Sequence, residues 1–255
     1  VSARLDRVLT DRGLARSRTT AAGWIRAGRV SVNGEVVRKP SAPVADQDEV
    51  VVAPSEGDEY VSRAGHKLAG ALACFPDVDP RGRRCLDAGA STGGFTDVLL
   101  RRGAREVVAV DVGHDQLVAE LRADPRVRVH EGLNVRHMAP EDIGGPAQLT
   151  VCDLSFISLT LVIPALAAAT VAGGDLLLMV KPQFEVGVHN LSRTGVVTSE
   201  TARAAAVQRV VHCAGEAGLD VLGTATSPLP GQDGNVEFFV RCRRAAAGAR
   251  VGALA

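Results

Sequence analysis

The chain has 255 residues, room for one large domain and a small one, and its apolar share of 46% is ordinary for a globular protein with a buried core. Twenty-nine basic residues balance 29 acidic ones, so overall charge says nothing about partners. The five cysteines are scattered, odd in number and never spaced C-x-x-C, which argues against a disulfide framework or a zinc site and for a reducing compartment.

Charge is unevenly placed along the chain. From Val1 to Ala45 nine basic residues stand against three acidic ones, whereas Asp46 to Glu59 holds six acidic residues and no basic one. A basic N-terminal unit is the footprint of a nucleic-acid binder, or a plain solvated face. Val1 to Leu9 carries charges and lacks an apolar run, so no secretory leader is expected and a cytoplasmic setting is. Arg4–Asp11 reads as a short helix with Leu5, Val8 and Leu9 on one face, ended by Gly13. Ser17 is placed to cap a second helix through Ala27, stopped by Gly28. Asn33-Gly34 between two short β-prone runs predicts a hairpin, and Glu49–Val52 a further strand. Arg-Leu-Asp near the start, G-L-A-R-S-R at Gly13–Arg18 and G-R-V-S-V-N-G-E at Gly28–Glu35 resemble the S4 domain, a small RNA-binding module. The resemblance implies a small α/β unit over residues 1–57 that grips structured RNA by shape and phosphate, through Arg4, Arg16, Arg18, Arg26 and Arg29, with Arg63 at the end of a linker at 58–63. Aromatic residues make up only 3% of the chain, so no base-stacking platform is expected.

From residue 64 to 244 helical and strand-like segments alternate. Helices are expected at Ala64–Phe75, Gly94–Arg102, Gln116–Ala123, Leu159–Ala169 and Ser199–Ala217. Strands are expected at Arg83–Asp87, Glu106–Asp111, Val127–His130, Leu149–Asp153, Asp175–Val180, Leu219–Thr226 and Val236–Cys242. The alternation predicts an α/β fold with a mostly parallel sheet covered on both faces and ligands at the strands' carboxyl ends. The longest apolar stretch, Leu159–Ala172, contains Pro164 and is too short to span a bilayer, so no membrane association is expected. The Ala/Gly-rich tail, 245–255, is expected to be disordered.

The first of these strands leads into Asp87-Ala88-Gly89-Ala90-Ser91-Thr92-Gly93-Gly94-Phe95-Thr96. Glycines there let the backbone approach a ligand, and the next helix aims its N-terminus at it. Ser91 stands where the dinucleotide fingerprint G-x-G-x-x-G has its second glycine, which disfavours a nicotinamide enzyme. Asp111 ends the second strand, placed to accept from ribose hydroxyls. This pair of features resembles motif I and the acidic second-strand end of class I S-adenosylmethionine-dependent methyltransferases, a Rossmann-like fold with seven strands of which the last runs antiparallel.

Three more chemical groups fall at the same edge. Asp153 ends the fourth strand in V-C-D-L-S-F-I-S, Lys181 ends the fifth in M-V-K-P-Q-F-E, and Glu237 opens the last, whose start faces that edge if it runs antiparallel. Lys67 opens the helix before the first strand. Only Lys39, Lys67 and Lys181 are lysines in a chain with 29 basic residues, and arginine cannot replace a compact ammonium whose pKa its surroundings can tune. Taken singly each residue has a bland reading as a helix cap, a surface charge or a residue before proline. Together they resemble the Lys-Asp-Lys-Glu set of FtsJ-like ribose 2′-O-methyltransferases, and with the S4-like unit the chain is similar to the hemolysin A (TlyA) family of ribosomal RNA methyltransferases. The resemblance implies S-adenosylmethionine held by Asp87, Gly89, Ser91, Thr92, Gly93, Gly94, Phe95, Asp111, Asn134 and Asp153, no metal, and catalysis by Lys67, Asp153, Lys181 and Glu237 on a ribose of ribosomal RNA within ribosomal subunits. Lys181 is expected to be held by Asp153 and Glu237, with Lys67 orienting Asp153. The loop Val188–Thr194 departs from the family's glycine- and lysine-rich turn. A ribosome-assembly factor without turnover and a membrane-active hemolysin are the competing readings.

Overall fold

The computed structural model describes residues 2–15, 18–53, 60–187, 191–231 and 233–246. The expected cap Ser17, the start of the 188–194 loop and most of the tail lie outside the described residues. The chain divides into two compact units, Val1–Glu59 and Tyr60–Ala255.

In the first unit, α1 (Leu5–Asp11) and α2 (Arg18–Arg26) pack Leu5, Leu9, Ala21 and Ile25 into a small core with Val30 and Val44. The hairpin joins β2 (Val30–Val32) to β3 (Glu35–Val36), with Val32 opposite Glu35. Asn33 and Gly34 both have positive φ, 52° and 85°, as a two-residue hairpin turn requires. β5 (Val50–Val52) completes a three-stranded sheet on the other side of β2. One pairing escaped the sequence reading: β1 (Ser2–Arg4) runs antiparallel to β4 (Pro43–Ala45). Each segment is only three residues long, too short for an alternation to stand out, and Pro43 reads as a breaker. Asp6 is buried and accepts from the Arg4 guanidinium at 3.0 and 2.9 Å and from Arg18 at 3.2 Å. The Arg4 bonds above all, with Arg18, hold the Asp6 carboxyl down at about 2.

The second unit is a seven-stranded sheet. Its strands in chain order are β6 (Arg84–Ala88), β7 (Glu106–Val110), β8 (Val127–His130), β9 (Ala147–Cys152), β10 (Thr170–Val180), β11 (Leu219–Thr226) and β12 (Phe238–Arg244). Across the sheet they lie β11-β12-β10-β9-β6-β7-β8. β12 is antiparallel to both neighbours and is inserted between β10 and β11 rather than at the margin of the sheet. Side chains alternate between two cores. On β10, Leu176, Leu178 and Val180 face one, under α6 (Ile163–Ala168) and α8 (Glu200–Glu216); Leu177 and Met179 face the other, under α3 (Arg63–Cys74) and α4 (Gly94–Arg101).

Two expected helices are shorter. Gln116–Ala123 reduces to α5 (Ala119–Arg122), because Gln116 leaves the helix to take the Ser91 hydroxyl at 3.2 Å and Asp115 is left-handed at φ 56°. Leu159–Ala169 breaks into a 3-10 turn capped by Ser158 and the separate α6, where Pro164 sits in the first turn, the position its missing N–H allows. Among the described residues no helix is long and apolar enough to cross a membrane, and no cluster of His, Cys, Asp or Glu could hold a metal ion.

Asp87 is the buried charge at the heart of this sheet, fully enclosed within β6. Burial pushes its carboxyl up to about 7, the Thr96 hydroxyl bond at 2.7 Å opposes this, and the nearby Asp153 and Asp111 carboxylates add to it. The folded protein therefore keeps a proton that the unfolded chain gives up near pH ~4, so the stability tied to this proton is whole below ~4 and is lost as pH rises through about 7. Asp87→Asn should flatten that decline: ligand-free unfolding free energy, followed by urea melts from pH 4 to pH 8, should fall more steeply in the wild type. Parallel curves would refute the assignment.

Candidate active site

Every candidate of the second unit sits at the carboxyl edge of the parallel strands. Asp111, Asp153 and Lys181 each follow the last residue of β7, β9 and β10, and Glu237 directly precedes β12, whose reversed direction brings its start to the same edge. After β6 the chain turns at Gly89, φ 92°, and Ser91, φ 48°. A Cβ on Gly89 would stand 2.5 Å from the Asp153 carbonyl oxygen, so only glycine lets this turn lie against the loop after β9. The Asp153 amide donates to the Ala88 carbonyl at 3.0 Å, which closes the contact. Asp111 anchors the turn from the other side, accepting from Ser91 N at 2.8 Å and Gly113 N at 2.7 Å.

Three clefts open along this edge. One, of about 500 Å³, is lined by Gly89, Ser91, Asp111, Asn134, Asp153 and the apolar Leu133, Val135 and Ile157, among others. A smaller one, of about 180 Å³, continues past Thr92, Gly94 and Phe95 to Lys181. The third, of about 780 Å³, is bordered by Arg63, Lys67, Phe156, Lys181, Phe184 and Glu237. Ser155 borders all three. Asp87 and Gly93 are buried: Asp87 lies at the foot of the turn, its Oδ1 without a hydrogen-bond partner among the described residues, and Gly93 is packed under Leu117 and Leu121.

The four groups meet as two pairs. Lys181 Nζ lies 2.6 Å from Asp153 Oδ1 and donates to Ser155 Oγ at 2.9 Å. Lys67 Nζ lies 2.5 Å from Glu237 Oε2, with both side chains nearly buried. Glu237 thus holds Lys67 rather than Lys181, which corrects the expected pairing; a Cβ on Gly231 would stand 2.6 Å from Glu237 Oε1, so the glycine leaves room for that carboxylate. Buried ion pairs of this kind fix geometry more than they stabilise the fold. The buried Glu185 ties the two active loops together, accepting from Ser158 Oγ at 2.5 Å and Leu159 N at 2.7 Å.

Sequence reading overlooked Ser155, Gln116 and Phe156. Phe156 is 92% exposed, has a left-handed φ of 64° and meets Phe184 with ring centroids 5.3 Å apart. A low aromatic count had argued against a stacking surface, yet the ring stands at the lip shared by two clefts. Its signal in the sequence, one Phe within L-S-F-I-S, is what a core residue would show.

Of the arginines expected to meet RNA, Arg4 and Arg18 converge on Asp6, and Arg29 lies 4.9 Å over the Trp24 ring while donating to the Ala53 carbonyl at 3.0 Å. Arg26 is exposed, Arg63 borders the widest cleft, and Arg16 lies outside the described residues.

The chain is similar to known proteins over most of its length. Residues 60–244 match the FtsJ-like methyltransferase family and residues 3–50 the S4 domain. The 16S/23S rRNA (cytidine-2'-O)-methyltransferase TlyA of Mycobacterium tuberculosis is 50% identical over 94% of this chain and 90% of its own length. The 23S rRNA (cytidine-2'-O)-methyltransferase TlyA of Campylobacter jejuni is 35% identical over 71% of this chain and 69% of its own. The solved structure of a protein designated a hemolysin from Streptococcus thermophilus is 40% identical, with a TM-score of 0.76 over 96% of this chain and 89% of that one. With an FtsJ-like fold from Tyr60 to Arg244 behind an S4 domain, the chain belongs to the FtsJ-like methyltransferase family and is a relative of its TlyA proteins.

Proposed function

We propose that this protein uses S-adenosylmethionine to methylate a ribose 2′-hydroxyl of cytidine in ribosomal RNA, acting on ribosomal subunits in the cytoplasm. The observation that carries the reading is the meeting of a nucleotide-sized cleft and a wider, lysine-bordered cleft at Ser155 and Phe156. The names of the TlyA relatives supply the base, the 2′-oxygen and the choice between 16S and 23S RNA.

The residues present fit the cofactor. Asp111 offers remaining lone pairs to ribose hydroxyls at the mouth of a cleft whose apolar wall suits an adenine. The unpartnered Oδ1 of Asp87, beneath the glycine turn, suits a ligand that brings an ammonium group. When bound, S-adenosylmethionine supplies a methyl group on a positively charged sulfur, open to displacement by an oxygen. An alcohol is a weak nucleophile at neutral pH. Lys181, held by Asp153 and Ser155, presents a free donor to the 2′-oxygen and steadies the negative charge that grows there as the hydroxyl proton passes to water in the open cleft. Lys67 and Glu237 form the opposite wall and orient the ribose. Phe156 stacks on the base, which holds the nucleotide out of its helix for attack. The S4-like unit, assigned to 1–57 and followed by a linker at 58–63, adds phosphate contacts through Arg4, Arg18, Arg26 and Arg29, and Arg63 adds one of its own beside the widest cleft.

Purified protein and labelled S-adenosylmethionine should transfer methyl to unmodified small or large subunits, with a 2′-O-methylcytidine found by mass spectrometry of digested RNA. Cofactor binding without transfer to either subunit would favour an assembly factor instead, and release of liposome contents a membrane-active protein. Lys181→Ala should remove turnover and leave cofactor affinity nearly intact; near-normal turnover would sink its role. Asp111→Ala should do the reverse, raising the cofactor Kd first, and an unchanged Kd would argue against its ribose contact. Phe156→Ala should lower kcat/KM for the subunit by roughly 10- to 100-fold, the worth of one stacked base, and a value within twofold of wild type would exclude stacking.

A further inference from the structure

An ammonium on a four-carbon stem has three donors and little to fix its direction. One carboxylate contact leaves it free to swing about that contact. Lys181 has two contacts of different kinds, from neighbouring residues of one loop: the Asp153 carboxylate at 2.6 Å and the Ser155 hydroxyl at 2.9 Å. The carboxylate charge fixes where the ammonium sits, and the hydrogen bond to Ser155 fixes how it is turned, which sets the direction of the remaining N–H groups.

The loop that carries both acceptors is itself held at its two ends. At the start, Asp153 N bonds Ala88 O beneath the glycine turn. At the end, Ser158 Oγ and Leu159 N bond the buried Glu185, which lies on α7 (Pro182–Glu185), the short helix that directly follows Lys181. The serine and the lysine are thus braced against each other through the backbone on both sides. Ser155 is also the residue at which all three clefts meet, so its hydroxyl sits where a methyl donor and a ribose would approach one another.

We propose that Ser155 is a positioning residue for methyl transfer: its hydroxyl fixes the orientation of the Lys181 amine, so that the free donor points at the nucleophile instead of sweeping the cleft. The inference rests on the 2′-O-methyltransferase reading above. The role belongs to the Ser155 oxygen and not to its bulk, and it acts on the chemical step and not on capture of either substrate.

The test compares Ser155→Ala and Ser155→Thr in the full chain. Ser155→Ala should lower kcat by roughly 10- to 100-fold, the range that small misplacement of a catalytic group costs. The cofactor Kd and the KM for the ribosomal subunit should stay within about twofold of wild type by the same reasoning. Ser155→Thr, which keeps the hydroxyl, should recover most of the rate. A Ser155→Ala enzyme with wild-type kcat, a loss expressed in KM alone, or a Ser155→Thr enzyme as slow as the alanine variant would each overturn the proposal. A second measurement does not depend on turnover: labelling by an amine-reactive reagent, read by peptide mass spectrometry. Lys181 should label faster in Ser155→Ala than in wild type or Ser155→Thr, while Lys67 keeps its rate as an internal control. Equal Lys181 rates in all three proteins would overturn the proposal. If wild-type protein methylates no subunit, the functional reading fails, and the labelling still decides whether Ser155 orients Lys181.

Discussion

The close approach of Gly89 to the Asp153 carbonyl is the contact on which the site depends. It makes the turn after β6 and the loop after β9 a single packed object. The turn shapes the cofactor side, and the loop carries Asp153, Ser155 and Phe156. A side chain at position 89 would push the two apart by roughly an ångström, from 2.5 Å to ordinary contact. A misplacement on that scale can cost about 100-fold in rate. The sheet supplies the rest of the constraint: β6 and β9 are adjacent and parallel, with Ala88 opposite Cys152, so their carboxyl ends deliver both segments to one place.

Charge in the site is organised by separation. Two lysine–carboxylate pairs flank the widest cleft, each internally neutralised, so neither buries a lone charge. Asp87 is buried without a cation, and its raised pKa is the response. The same logic runs in reverse on the S4-like unit. There a buried carboxylate, Asp6, keeps its charge because two arginines converge on it while their side chains stay more than half exposed. One acid thereby holds two guanidinium groups in place without removing them from solvent.

Much of this was legible before any coordinates. Asn33-Gly34 specified its hairpin because few residues tolerate two consecutive positive φ angles. The D-x-G turn, the acid after β7 and the lysine before Pro182 were legible because strand ends are marked by an abrupt change from apolar to polar residues. What stayed hidden depended on choices made in space. Nothing in the order of residues says whether Glu237 reaches Lys181 or Lys67. The β1–β4 pair joins segments some forty residues apart with no apolar pattern to announce it. Gln116 sits in a stretch with helical spacing and is drawn out of it by a serine on another turn. Phe156 was the deepest concealment, since composition treats every phenylalanine alike and only its left-handed backbone turns this one outward.

Phe156 also sets a conflict between colloidal behaviour and chemistry. It is the most exposed of the large apolar side chains among the described residues. A bulky residue in the left-handed region carries local strain, of order 1–3 kcal/mol, and a bare ring in water favours self-association. A glycine at this position would relieve both burdens at once. Selection or design for solubility and heat resistance would therefore push toward removing the ring that stands at the mouth of the site. On the stacking role proposed for the ring, a version of this protein improved by those criteria alone would drift toward a well-behaved but slower one.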